Sequence, residues 1–329
     1  MLARALVAAA VTILLTAGCQ GPSWSVPLDK LDRVPLSVWI GGPRDVFASG
    51  GPLGSTGNAL LLHYDGAVWN QIPVASPATL WWVFGFSATD VYAVGEQGTI
   101  VHWDGATVST MTSGVTSTLY GVWGASPDDL WAVGGQPDVS GVLLHKDASG
   151  WHTVASPTMS GAYFKVWGSA SNDVFVCGQG GTILHWDGEK WTSQPTGLPQ
   201  SQTLFTIAGR APNDVYAVGG LGTALALRYD GATWSKLADA PLAKVDSLAG
   251  VAVDSDGTLL LVGGNGAALR GKAGALVDES RLAATDDFHG AAIAAGQAFA
   301  VGGNYLAPAP AVRHGLVAHY GDSIPGMLR

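Results

Sequence analysis

The sequence is poor in charge. Only 12% of its 329 residues are Asp, Glu, Lys or Arg, and glutamate occurs three times, at Glu96, Glu189 and Glu279. Lys and Arg number 16 against 25 acids, a net charge of −9, and no stretch forms a basic run. Nucleic acids are bound through clustered Lys and Arg, so a nucleic-acid partner is not expected. There are two cysteines, Cys19 and Cys177, too few for a disulfide scaffold. The longest apolar stretch, Leu6 to Leu15, has ten residues and is too short to span a bilayer. Beyond it no segment sustains a helical period, which argues against a helical bundle.

What is present is a repeat. Hydrophobic residues make up 47% of the chain and glycine accounts for 46 positions, enough for a large core and many tight turns. Leu119 to Gly135 and Tyr163 to Gly178 share one frame, which recurs from Pro35 to Gly50, Leu80 to Gly95 and Leu204 to Gly220. Weaker copies run from Leu248 to Gly264 and from Phe288 to Gly303. The aligned turn positions are Asp45, Asp90, Asp129, Asp173, Asp214, Thr258 and Gln297, spaced by 45, 39, 44, 41, 44 and 39 residues. That is the period of a propeller blade. Each repeat reads as four strands, A to D. A Ser/Pro/Asn/Asp turn follows strand A, and strand B ends in Gly. Strand C precedes an Asp-Gly pair at 65–66, 104–105, 187–188 or 230–231, which predicts a two-residue hairpin. Strand D opens with Trp69, Trp151, Trp191 or Trp234.

The expected fold is therefore all-β, a seven-bladed β-propeller of four-stranded antiparallel blades. The seventh repeat ends after strand C, at Val317 to Asp322, with no strand-D Trp. Trp24 lies 11 residues before Pro35, as Trp69 lies 11 before Leu80. Residues 23–27 are thus predicted to supply the missing strand, closing the ring and removing a free edge.

Arg4 and the stretch Leu6 to Leu15 read as the start of an export signal. Thr16-Ala17-Gly18-Cys19 resembles the bacterial lipobox, in which the cysteine is lipidated. The resemblance implies a signal peptide over 1–18 and a lipid-anchored N-terminus over 19–34 carrying the closing strand. The propeller then covers 35–329. With Cys19 lipidated, no intramolecular disulfide remains, and Cys177 reads as a small buried residue where sister strands carry Val. Gln20 after Cys19 implies, by analogy with enteric bacteria, the outer membrane.

The frame Trp-Gly…Asp-Val-Tyr-Ala-Val-Gly…His-Trp-Asp-Gly-x-x-Trp resembles the repeats of functionally uncharacterised bacterial envelope propellers described as BNR-like or kelch-like. The Gly pairs at 50–51, 134–135, 180–181, 219–220 and 263–264 are similar to those of kelch repeats. The Tyr229-to-Trp234 spacing is shorter than the kelch spacing, and the Asp-Gly pairs lack the Ser of a sialidase Asp box. The resemblance speaks for the fold and not for an activity.

Catalytic groups are scarce. The eight Arg after Cys19 share no register, and most Asp recur at turn positions. His63, His102, His145, His185 and His319 recur in strand C and read as packing. His152, His289 and His314 stand off-register without zinc spacing. No cofactor or metal is expected. Trp39, Trp123 and Trp167 in strand A, Trp103 and Trp186 in strand C, and the strand-D tryptophans read as packing between blades. Two positions break the repeat. The third strand-A residue is Ser37, Gly121, Thr206, Gly250 or Gly290 in five blades, but Trp82, beside Trp81, in blade two and Lys165 in blade four. The B–C loops of blades one, three and seven are long, and that of blade seven holds Tyr305, Pro308, Pro310, Arg313 and His314. Trp81, Trp82, Lys165, Tyr305, Arg313 and His314 are the candidate ligand-binding residues. The leading expectation is a non-catalytic envelope lipoprotein that binds a protein or glycan. A carbohydrate-active hydrolase or lyase and an assembly factor for an envelope complex are the alternatives.

Overall fold

A computed structural model of the chain describes residues 22–52, 57–158, 161–305 and 312–329. Cys19 and the signal segment lie outside the described residues, as do Pro308 and Pro310. The repeats fold into seven four-stranded antiparallel sheets. Six sheets take their strands in simple chain order. The seventh has the order strand D, C, B, A with its outermost strand supplied by Ser23–Leu31. That strand pairs with Gly315–Gly321, Trp24 facing Tyr320 as Trp69 faces Tyr64 in blade one. It runs four residues beyond the predicted end at 27. Two irregularities, between Ser25 and Leu28 and between Leu28 and Leu31, let it follow its partner to Gly315.

The C-terminal residues add a second closure. The Trp69 and Gln71 amides donate to the Met327 and Arg329 carbonyls, and the Arg329 amide returns a bond to Trp69, each at 2.9 Å. The tail thereby runs parallel to the outer edge of blade one.

Innermost strands are Val34–Gly42, Leu80–Ser87, Thr118–Ser126, Tyr163–Ala170, Leu204–Ala211, Leu248–Val253 and Asp287–Ala294. Strand-D Trp69, Trp151, Trp191 and Trp234 are buried. Each removes about 150–250 Å² from water, roughly 4–6 kcal/mol of transfer free energy. The strand-A tryptophans explain the Trp-Gly part of the motif. A Cβ on Gly85 would meet the Trp39 ring at 2.8 Å, one on Gly168 the Trp123 ring at 2.6 Å, and one on Gly209 the Trp167 ring at 2.7 Å. Each ring reaches with its six-membered edge to the glycine of the next blade. In blades five to seven the same position is Ala208, Ala252 and Ala292, and the facing residue is Val253, Ile293 and Ile40. A large side chain on one blade is exchanged for a branched one on the next, which keeps the interface filled.

The strand-C histidines stack on a strand-B aromatic and bond the turn aspartate. His102, His145 and His185 each lie 2.7 Å from Asp90, Asp129 and Asp173, and His63 lies 3.2 Å from Asp45. Their rings pack on Tyr92, Trp131, Phe175 and Phe47. The Asp-Gly pairs do not make two-residue hairpins. Tyr64 pairs with Trp69 across four residues, and only the glycine has positive φ, 89° at Gly66. The Asp65 carboxylate accepts the amides of Ala67 and Val68, and Asp104, Asp187 and Asp230 repeat the arrangement. These bonds favour the carboxylate and hold the longer loop. Cys177 is buried in blade four opposite Lys165, and burial pushes its thiol up to about 12.

Candidate functional site

In every blade the register between strands A and B slips at one shared place near the start of strand A, and blades one to five slip a second time near its end. The shared slip falls between Pro35 and Ser37, Leu80 and Trp82, Leu119 and Gly121, and Tyr163 and Lys165. It recurs between Leu204 and Thr206, Leu248 and Gly250, and Phe288 and Gly290. A bulge leaves one residue unpaired and re-aims its side chain. The residues skipped are Leu36, Trp81, Tyr120, Phe164, Phe205, Ala249 and His289. Five of these seven carry a ring.

Those rings form a belt around the channel mouth. His289 contacts Trp81 at a centroid distance of 5.6 Å, Trp81 contacts Tyr120 at 5.5 Å, Tyr120 contacts Phe164 at 5.2 Å, and Phe164 contacts Phe205 at 5.7 Å. Tyr305, from the B–C loop of blade seven, adds an edge-on contact to His289 at 5.4 Å. The belt walls a cavity of about 580 Å³, completed by Glu96, Leu221, Ser247, Arg313 and Lys165. Its size and largely apolar lining with few polar groups are those of a ligand pocket.

Lys165 lies at the floor. Its side chain is buried, and its Nζ donates to the Tyr120 carbonyl at 2.8 Å while standing 4.4 Å above the Trp82 ring. Burial lowers its ammonium to about 7. Burial, helped by the Lys165 charge, drives His289 down to about 3, so this imidazole is neutral; it lies 2.6 Å from the Leu36 carbonyl. Burial raises the Tyr305 phenol. The Glu96 carboxylate accepts the Thr79 amide at 2.9 Å. The Trp81 indole N–H has no hydrogen-bond acceptor among the described residues.

Of the candidates read from the sequence, the fold brings together Trp81, Lys165, Tyr305 and Arg313 at this cavity. Trp82 belongs to a second cavity of about 320 Å³ at the other end of the channel, lined by Trp39, Phe84, Trp123 and Trp167. His314 turns aside and lies 3.1 Å from Asp286. Tyr120, Phe164, Phe205 and His289 were not among the candidates. They share one column of the repeat with Trp81, a column that holds six residue types in seven blades, whereas the column before it is Leu in four.

The other third-position residues complete the channel wall. Ser37 accepts the Val83 amide of the next blade, and Thr206 donates to the Ala249 carbonyl of the next blade. A Cβ on Gly121, Gly250 or Gly290 would press on the following blade's backbone at 2.7–3.1 Å. The face around the mouth is also the apolar face. Val139, Leu221 and Val312 on B–C loops and Leu282 on a D–A loop are 56%, 78%, 86% and 67% exposed. The opposite face carries the Asp-Gly turns.

No protein-family model and no curated protein matches the chain. Among solved structures it is similar to one described as YCF48 bound to D1 peptide, with TM-score 0.68 and 16% identity over 92% of this chain and 100% of that one. It is also similar to YCF48 from Cyanidioschyzon merolae, with TM-score 0.66 and 13% identity over 91% of this chain and 99% of that one. At such identities the likeness is one of fold, a seven-bladed β-propeller.

Proposed function

We propose that the chain is a binding protein of the cell envelope, exported and held by a lipid on Cys19, whose propeller captures a segment of a partner protein at the aromatic mouth. The observation that carries this reading is the belt of Trp81, Tyr120, Phe164, Phe205 and His289, aimed into one cavity by the same bulge in five blades. Aromatic side chains of this kind anchor protein partners, and the exposed Val139, Leu221, Leu282 and Val312 widen the contact around them. The similar fold bound to a peptide supports the reading, and so does the resemblance of the repeats to those of envelope propellers. Assembly of a larger envelope complex is the role such capture would serve.

The test is affinity capture from detergent-solubilised native envelopes with tagged wild type, a Phe164→Ala/Phe205→Ala variant and a variant lacking 303–314. A protein identified by mass spectrometry with the wild type and lost with both variants is the expected result. Equal capture by all three would move the docking surface away from the mouth. A screen in which glycans bind and no protein is captured would overturn the reading.

A further inference from the structure

The floor of the mouth holds a lysine with no counter-ion. Lys146 and Lys272 lie 3.1 and 3.0 Å from carboxylates. Lys165 is the more deeply buried of the three, yet among the described residues no carboxylate oxygen lies within 4.0 Å of its Nζ. Its contacts are one backbone carbonyl and the face of Trp82. An ammonium has three donors, so the Tyr120 carbonyl leaves donors over. Burying a charge is costly unless it is paired and hydrogen-bonded. At the equivalent position five blades carry only Ser, Thr or Gly, and the channel wall closes with them. The fold therefore does not require a cation here.

Resting on the proposed function, we infer that Lys165 is the recognition residue of the mouth, and that the segment captured there bears a carboxylate, flanked by an apolar side chain held in the aromatic belt. The carboxylate descends between Trp81, Tyr120 and Phe164 and accepts from the Lys165 ammonium, while Arg313 at the cavity wall adds a second positive group. Glu96 is the acidic group lining the cavity, and its bond to the Thr79 amide holds it there. Charge-assisted hydrogen bonds in a site that excludes water are the strong ones, so this contact sets specificity. Two sources offer the chemistry, an Asp or Glu side chain and a chain-terminal carboxylate.

The experiment uses three acetylated, fluorescently labelled peptides of Gly, Ser and one Phe. One ends in Phe with a free carboxylate, one ends in Phe amide, and one is amidated with Asp following Phe. Fluorescence polarisation is measured with wild type, Lys165→Met, Lys165→Gln and Phe164→Ala, the folding of each checked by circular dichroism. The expected result is that at least one acid peptide binds wild type about tenfold or more tighter than the amide, and that both Lys165 variants abolish the difference. Which acid peptide does so identifies the source of the carboxylate. Lys165→Gln keeps a donor for the Tyr120 carbonyl, so its loss of preference separates charge recognition from support of the wall. Equal affinity of all three peptides for wild type, reduced by Phe164→Ala, would overturn the inference and leave the mouth as the binding site. An acid preference that survives in both Lys165 variants would also overturn it, and binding of none of the peptides would overturn it together with the mouth as a peptide site.

Discussion

The channel carries two sets of aromatic side chains, drawn from positions three residues apart in the same strands, and they have different fates. Trp39, Trp123 and Trp167 form the lower set, and each lies on a glycine of the next blade. Trp81, Tyr120, Phe164 and Phe205 form the upper set, touching one another edge-on or tilted and leaving one side facing the cavity. In the lower set the repeat supplies both the ring and its seat, and where the ring is lost the seat is filled, as with Ala208 and Val253. In the upper set no recurring residue faces the rings. The comparison teaches that recurrence of a residue marks packing when its partner recurs with it. A residue whose partner is missing from the repeat is free for a ligand.

Lys165, between the two sets, should give the largest effect. Its folded-state pKa is lowered from 10.5 to about 7, so between those values the unfolded chain holds a proton that the folded chain has shed. Stability should therefore rise with pH through this window, and the cost of the buried charge should be present in full below about 7. Cys177, His289, Tyr120 and Glu96 share its surroundings, so the comparison is made against Lys165→Met, which keeps them all. Urea midpoints of wild type should climb relative to the variant from pH 6.5 to 8.5. Parallel curves would mean that the ammonium is well solvated.

Next comes the lower set. Trp39→Ala empties a seat and should cost about 3 kcal/mol, and Gly85→Val drives a side chain into the Trp39 ring and should cost about 2–3 kcal/mol. The double variant imitates Ala208 with Val253 and should recover about 1–3 kcal/mol of the summed loss, measured by chemical denaturation. Additive losses would show that the pairing in blades five to seven is not an exchange of volume. In the upper set, Phe164→Ala and Phe205→Ala should each change stability by less than about 1 kcal/mol while costing at least about tenfold in partner affinity. A large fall in melting temperature would place these rings with the packed set.

The smallest effect extends the rule to strand C. Four histidines have their aspartate, but in the blade of His319 the turn position is Gln297, and among the described residues neither ring nitrogen of His319 has a partner. Burial accordingly lowers its pKa. Gln297→Asp should restore the pair and stabilise the seventh blade by about 0.5–1.5 kcal/mol in thermal unfolding. No gain would mean that the ring stacked on Phe299 is held by packing alone.

Much of this was legible in the chain. Trp24 stands at the same distance from its blade as Trp69 does from the next, and the closing strand pairs accordingly. The strand-A and strand-D tryptophans sit where the repeat says they pack, and Cys177 is buried among the valine positions. The mouth was legible only in part. Breaks in the third column drew attention to Trp82 and Lys165, whereas the mouth is built from the second column, with Lys165 beneath it. The turn chemistry misled in one respect, because Asp-Gly was read as a two-residue hairpin when the carboxylate caps a four-residue loop. The pairing of the C-terminal tail with Trp69 and Gln71 had no local signature, since its bonds are made by backbone groups that every residue carries.

By itself the sequence determined the number of blades, their strand order and the means of closure. These follow from period, alternation and turn residues, which act over a few neighbours in the chain. Only the tertiary structure decided which residues look into the channel. A bulge near the start of every innermost strand shifts the alternation of side chains by a single place, and a bulge depends on how a strand meets its partner rather than on the residue it displaces. Seven such shifts, brought round a closed ring, turn a variable column of the repeat into the wall of one cavity.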